Sequence, residues 1–422
     1  MTRLAGQTIL LALGAAAAIL FALAVAHIPW SRASVAIVAA ICVVATVLAP
    51  HPPLRGTFSP PRGAKDLIGV ALLVLAGVLL VGYAMYATLA PPWEADFLAN
   101  WGVKARTFWE ARTIDWNYLQ IERSVHPDYP PLLPLLFDFV AVVRGAWNDA
   151  AFGLINAAFA LGLLLIIHGV ALEESGSRFT AAFVMAASVP LAATPWIGIG
   201  DGPFIAYATS GLLLMRRHMT AASVMLGLSA FTKNEGLALI VAAAIALIVA
   251  RRLRDVVRLW PAVVIAVPWL ICRLAFHLQS DIAAGGLLTR ILERVRDPQA
   301  IATAFISAPF GRPLFLVSLL LGLAIAWRQV DRFVLLAVAI QFAFYVAVYL
   351  ATPHDIGWHV RWSWERLIAH LTPSIAVAIL IANMRTVSPR GAEPSSSVLP
   401  DERSPRPETA RAPANQEPQK SY

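Results

Sequence analysis

Two carboxylates in this chain, Asp96 and Asp201, stand in polar turns of an otherwise apolar sequence, and each has neighbours that suit ion chemistry. Asp96 begins a stripe with Asn100 and Lys104, spaced i, i+4, i+8, in a stretch that reads as a helix from Glu94. The adjacent stripe, Phe97, Trp101, Ala105 and Phe108, is apolar, as in a helix lying in a membrane interface with its aromatic side down. Trp93, Trp101 and Trp109 read as interface anchors, and a plain solvated surface helix is the blander alternative. Asp201 sits among glycines in Gly198-Ile199-Gly200-Asp201-Gly202-Pro203, where a helix cap is the plain reading. Convergence of Asp96 and Asp201 on one divalent cation, Mg or Mn, is the sharper one, since such ions favour hard oxygen ligands.

The cationic partners are few. Thr232-Lys233-Asn234-Glu235-Gly236 separates two apolar runs, and a charge kept near a span end invites a functional reading beside that of an internal Lys233–Glu235 pair. The run from Trp358 to Arg366 mixes aromatics with Arg361 and Arg366, whose forked donors suit phosphate. An aromatic belt with an Arg361–Glu365 pair is the alternative there. His126-Pro127-Asp128-Tyr129-Pro130-Pro131 is a stiff turn whose histidine suits phosphate or metal, or is an ordinary loop residue.

These turns need a membrane scaffold. Of 422 residues, 59% are hydrophobic and 14% charged, against about 25% charged in soluble domains. The expected fold class is therefore all-α, a polytopic membrane protein with juxtamembrane helices in its first external loop. No basic face with base-stacking groups accompanies the net charge of +8, which excludes a nucleic-acid reading. Cys42 and Cys272 lie in apolar runs without ligand spacing and imply neither disulfide nor metal. Arg3 and Ala24-Val25-Ala26 imitate a secretory signal, but the run is long and a second span follows, so an uncleaved first helix is expected.

Apolar windows predict helices near 7–27, 33–49, 67–90, 150–172, 179–193, 203–217, 220–232, 236–250, 259–277, 312–328, 333–350 and 367–385. The window 131–146 is ambiguous. If it crossed the bilayer, Arg216-Arg217 and every later basic cluster would face outside; if it lies along the membrane or dips and returns, all face the cytoplasm. That gives about twelve spans with both termini cytoplasmic. Residues 1–66 then form a helical hairpin and basic cytoplasmic loop, 67–385 a transmembrane domain with external loop 91–149, and 386–422 a disordered cytoplasmic tail. The external segments are 91–149, 194–202, 278–311 and 351–366. Leu287 to Val295 reads as a short amphipathic helix on the membrane, with Arg290, Glu293 and Arg294 on its polar side.

Taken in order, Asp96-x4-Trp101-x2-Lys104-Ala105, His126-x-Asp128-Tyr129-Pro130-Pro131, Gly200-Asp201-Gly202-Pro203, Thr232 to Gly236 and Trp358 to Arg366 resemble bacterial members of the GT-C superfamily. These are membrane glycosyltransferases using polyprenyl-phosphate sugars, related to protein O-mannosyltransferases and aminoarabinose transferases. The resemblance covers most of 67–385. It departs where the second turn has a single Asp and where Arg361-Trp362 replaces small polar residues. It implies a GT-C fold and inverting transfer of a sugar from a polyprenyl-phosphate donor to a lipid, glycan or protein hydroxyl, at the external face of the plasma (inner) membrane. Asp96 would act as general base or metal ligand, and Asp201 would assist through metal or acceptor. Lys233, Arg361, Arg366 and His126 would neutralise the leaving phosphate. Glu94, Asn100, Lys104, Asp128, Tyr129 and Glu235 would bind substrate. The rival class is a transporter or flippase of cell-envelope lipid or sugar intermediates, which would place charges near mid-span and repeat its halves; a non-catalytic envelope partner is the third.

Overall fold

The computed structural model describes residues 1–48, 64–89, 92, 94–121, 124–280, 286–308, 320–325 and 327–387. Met1–Thr386 forms one compact unit. The basic loop before Lys65, Trp93 and the C-terminal tail lie outside the described residues, as does most of the window 312–328.

Every regular element among the described residues is helical. The order begins with α1 (Thr2–Val25), α2 (Arg32–Leu48) and α3 (Ala64–Leu89). A π-helical turn, Phe97–Trp101, runs into α4 (Gly102–Ala111), followed by α5 (Trp116–Gln120) and α6 (Leu132–Arg144). Next come α7 (Asp149–Ser175), α8 (Arg178–Ala192), α9 (Asp201–Leu214), α10 (Met219–Thr232) and α11 (Glu235–Val249). The chain continues through α12 (Leu253–Val257), α13 (Trp260–Ala275), α14 (Leu287–Val295) and α15 (Pro298–Ile306). It closes with α16 (Arg332–Ala351) and α17 (Ile356–Val387).

Among the described residues, six helical stretches are long and apolar enough to cross a membrane: Thr2–Val25, Ala64–Leu89, Asp149–Ser175, Leu253–Ala275, Arg332–Ala351 and Ile356–Met384. Arg178–Ala192, Met219–Thr232 and Glu235–Val249 are apolar but shorter. Local sequence sets the boundaries. Asn148 accepts from the Ala151 amide to start α7, and Gly176 ends it in the left-handed region at φ 68°. Ser177 caps α8 one residue later, accepting from the Thr180 amide, so the two helices turn back on each other sharply.

Between apolar helices in lipid, burial of apolar area no longer distinguishes partner from solvent, and close backbone approach matters more. A Cβ on Gly153 of α7 would fall onto the Ala87 carbonyl of α3, and one on Gly236 onto the backbone at Ser229 and Ala230. α6, the ambiguous window, is buried along most of its length, Leu132 to Asp138, Ala141 and Val142 included.

Paired contacts define two ends. At one, Arg3 meets Glu173 at 2.7 Å, His218 meets Glu173 at 2.8 Å and Arg216 meets Glu174 at 2.6 Å. Arg252 there donates to the Met215 carbonyl and lies over the Phe333 ring. At the other, Gln120 donates to the Phe276 carbonyl, and Arg290 and Arg294 of α14 donate to the carbonyls of Ala351 and Tyr349. α14 is helical as expected, but its two arginines are tied to the end of α16, while Leu288, Leu292 and Val295 are exposed.

Candidate functional site

The site lies where the first-loop helix, the N-terminus of α9, the turn between α10 and α11, and the first half of α17 meet. Gly198 takes φ 82° in the turn before α9, and a Cβ there would stand 2.7 Å from Pro92 and 2.8 Å from the Phe97 ring. One on Gly200 would stand 2.7 Å from the Trp101 ring and 3.2 Å from the Lys233 side chain. Only glycines let this turn approach both the first-loop helix and the lysine turn, so that Asp201 ends beside them.

Asp201 is buried, at 1% side-chain exposure. Its Oδ1 accepts from Lys233 Nζ at 3.2 Å and from His370 Nε2 at 2.7 Å, and Arg366 approaches Oδ2 at 3.7 Å. The Arg366 guanidinium also bonds Asp96, whose carboxylate is 42% exposed. Lys233 in addition meets Glu235 at 3.4 Å. The result is a ladder from inside to outside: His370 and Lys233, then Asp201, then Arg366, then Asp96. Each buried charge has an opposite partner, as burial of charges demands.

Around this ladder the loops tune their own groups. Burial, reinforced by Asp96 and Asp201 and opposed by Arg366, raises the Glu94 carboxyl above its ordinary range. Burial lowers the Lys233 ammonium, but Asp201 and Glu235 outweigh it and hold it above its usual value. Tyr129 is pushed well up by burial, with Glu235 and Asp128 adding to it. Asp128 is raised by burial against Arg273, His126 and Asn234; its Oδ2 accepts from Asn234 at 2.6 Å and stands 3.5 Å from Arg273.

Of the residues expected from sequence, the structure brings together Asp96, Asp201, Lys233, Glu235 and Arg366, with Glu94 and Tyr129 within electrostatic reach. Asn100 and Lys104 are buried, not turned outward; the Lys104 ammonium donates to the His126 carbonyl and so fixes the loop. Trp101 is buried too, so it packs the site rather than anchoring an interface. The apolar stripe Phe97, Trp101, Ala105 and Phe108 is buried as expected, and Asn100 and Lys104, each next to a member of it, widen the buried face of the first-loop helix. His126 stacks on Tyr129, ring centroids 4.7 Å apart, beside the site. Asp128 ties its loop to the lysine turn through Asn234.

Arg361 is not part of the ladder. The segment 351–366, expected as an external segment, is helical from Ile356, and Arg361 is exposed on it. Five residues on a helix turn about 500°, which puts Arg361 and Arg366 on different faces. The metal expectation fits the donor set poorly. Arg366 bridges the two carboxylates assigned to the cation, Lys233 occupies Oδ1 of Asp201, and no group of three His, Cys, Asp or Glu among the described residues is arranged for a metal.

Sequence reasoning missed His370 and Tyr345. His370 is unexposed, between Asp201 and the Tyr345 hydroxyl at 3.3 Å. Its signal was an imidazole inside an apolar window, one turn beyond Arg366. As a chemical device, the arrangement offers a carboxylate on its open side and two convergent cations behind it. Neither protein-family models, nor curated proteins, nor solved structures yield a match to the chain.

Proposed function

We propose that the chain is a GT-C-like glycosyltransferase that moves a sugar from a polyprenyl-phosphate donor to an acceptor hydroxyl at the external face of the plasma membrane. The observation that carries this reading is the ladder itself: a half-exposed carboxylate, Asp96, joined through Arg366 to a buried Asp201 that also holds Lys233.

The acceptor oxygen attacks the anomeric carbon from the face opposite the phosphate, the bond from that carbon to the phosphate oxygen breaks, and the configuration inverts. Asp96 accepts the hydroxyl proton. Arg366 holds Asp96 in the resting site, which weakens it as a base. As negative charge gathers on the leaving phosphate, Arg366 turns toward it and frees the Asp96 carboxylate in the same event. Asp201, whose other oxygen is held by Lys233, keeps the Arg366 guanidinium close enough to make that turn, so the positive charge is at hand in a site partly shielded from water. Arg366 already engages both carboxylates that would hold a cation, so Asp96 serves as base and not as ligand.

About twelve crossings suit a lipid-linked donor, whose polyprenyl tail stays in the bilayer while its phosphate reaches the external loops. Among the described residues, α1, α7, α8, α9, α10, α11, α13, α16 and α17 run between the two ends defined by the paired contacts, which favours more crossings than the six long apolar stretches alone.

The test is transfer from radiolabelled polyprenyl-phosphate sugars in membranes carrying wild type or Asp96→Asn, with and without EDTA. The expected result is turnover by wild type, at least about 100-fold less in the variant, and no effect of EDTA. A buried ion network among apolar helices also suits a proton-coupled transporter. Absence of Asp96-dependent turnover over a broad donor panel, together with flux in liposomes, would move the assignment there.

A further inference from the structure

His370 has no exposed surface, so it touches no substrate, yet both its ring nitrogens are engaged. Nε2 lies 2.7 Å from Asp201 Oδ1, and Nδ1 lies 3.3 Å from the Tyr345 hydroxyl. The ring rests against Phe204, centroids 4.5 Å apart, and Tyr345 is itself buried. An apolar side chain would fill such a position more cheaply than an imidazole, because buried polar groups cost free energy unless bonded.

The geometry says what the imidazole supplies. Oδ1 of Asp201 accepts from both Lys233 and His370, and these two bonds fix the carboxylate plane. Oδ2 is thereby turned to Arg366, the group shared with Asp96. His370 and Arg366 are one turn apart on α17, so a single rigid helix sets both the donor to Oδ1 and the cation facing Oδ2. The Tyr345 hydroxyl, donating to Nδ1, leaves that nitrogen as acceptor and puts the ring proton on Nε2, where the carboxylate needs it.

We propose that His370, held in one tautomer by Tyr345, is a positioning residue that fixes the Asp201 carboxylate so that Arg366 stays shared between Asp201 and Asp96. The inference rests on the glycosyl-transfer reading for its kinetic consequence but not for its structural one. A fixed Asp201 keeps Arg366 ready for charge that develops only in the transition state. Loss of His370 therefore lowers kcat and leaves the KM for donor nearly unchanged.

The experiment uses the full chain in lipid nanodiscs, as wild type, His370→Phe, His370→Gln and Tyr345→Phe. The kinetic expectation is a fall in kcat of about 10–100-fold for His370→Phe with donor KM within about twofold. His370→Gln, whose amide still donates to Asp201, recovers most of it, and Tyr345→Phe lies between. A wild-type kcat in His370→Phe, or a raised KM at unchanged kcat, overturns the proposal. If His370→Phe does not fold, the other two variants decide by the same criteria. The spectroscopic arm needs no turnover: in protein labelled with ¹⁵N-histidine, the His370 signal, assigned by its loss in His370→Gln, shows a protonated Nε2 and bare Nδ1. Tyr345→Phe shifts or mixes that tautomer. A proton on Nδ1 in wild type overturns the proposal. Failure of wild type to transfer sugar, with the tautomer as expected, defeats the glycosyl-transfer reading and leaves the positioning of Asp201 standing.

Discussion

Asp96 and Asp201 share one guanidinium nitrogen, Nη1 of Arg366, but answer to different environments, 42% exposed and 1% exposed. Removing the inner charge leaves Lys233 and Arg366 facing a neutral amide in a buried site, and such a break costs about 3–5 kcal/mol. Asp201→Asn should therefore lower the unfolding temperature in detergent sharply and reduce the yield of folded protein. Asp96→Asn, at the wetter end of the ladder, should shift stability by less than about 1 kcal/mol while removing turnover. Equal stability losses in the two variants would contradict the ladder. These residues were legible because charges are scarce in an apolar chain, so Asp96, Asp201, Lys233 and Arg366 stood out. Arg361 was drawn in by the same reasoning, because the facing of Arg361 and Arg366 depends on whether their segment is loop or helix. His370 escaped it, since an uncharged imidazole in an apolar run carries no such contrast.

Secondary structure was readable where hydrophobic length was the whole signal, as for α1, α3, α7 and α16. It was not readable where packing overrode pattern. The stripe Asp96, Asn100, Lys104 reads as a polar face, but neighbours cover it: Lys104 donates to the His126 carbonyl, Asn100 is buried, and Phe97 beside them packs edge-on to Phe137 of α6. Helix pairing belongs to the same scale, and Gly153 tests it. Its Cα faces the Ala87 carbonyl so closely that any side chain forces α3 and α7 apart. Gly153→Val should cost about 1–3 kcal/mol by overpacking, read as a lower unfolding temperature with residual activity in what remains folded. An exposed glycine of the same helix family makes the control: Gly77 has open space around it, so Gly77→Val should change little. Similar losses at both positions would mean that helix propensity, not close approach, is being measured.

For the whole molecule, the decisive feature is that the ionic ladder and the basic cluster of Arg3, Arg216, Arg217 and Arg252 sit at opposite ends of the same helices. The positive-inside tendency is the ground for the proposal that the basic end is cytoplasmic and the ladder external. Everything turns on α6. Gln120 precedes it and Ala146 follows it, both exposed, and Arg258 is exposed at the basic end. Single cysteines at these three positions, in a chain with Cys42 and Cys272 replaced, can be probed with a membrane-impermeant thiol reagent on right-side-out vesicles. If α6 does not cross, Gln120→Cys and Ala146→Cys label in intact vesicles and Arg258→Cys labels only after permeabilisation. Opposite labelling of the first two positions would make α6 a span, reverse the sidedness of every later helix, and separate Asp96 from Asp201 across the bilayer. That last consequence conflicts with their shared bond to Arg366, so the chemistry of the site and the count of crossings stand or fall on one labelling pattern.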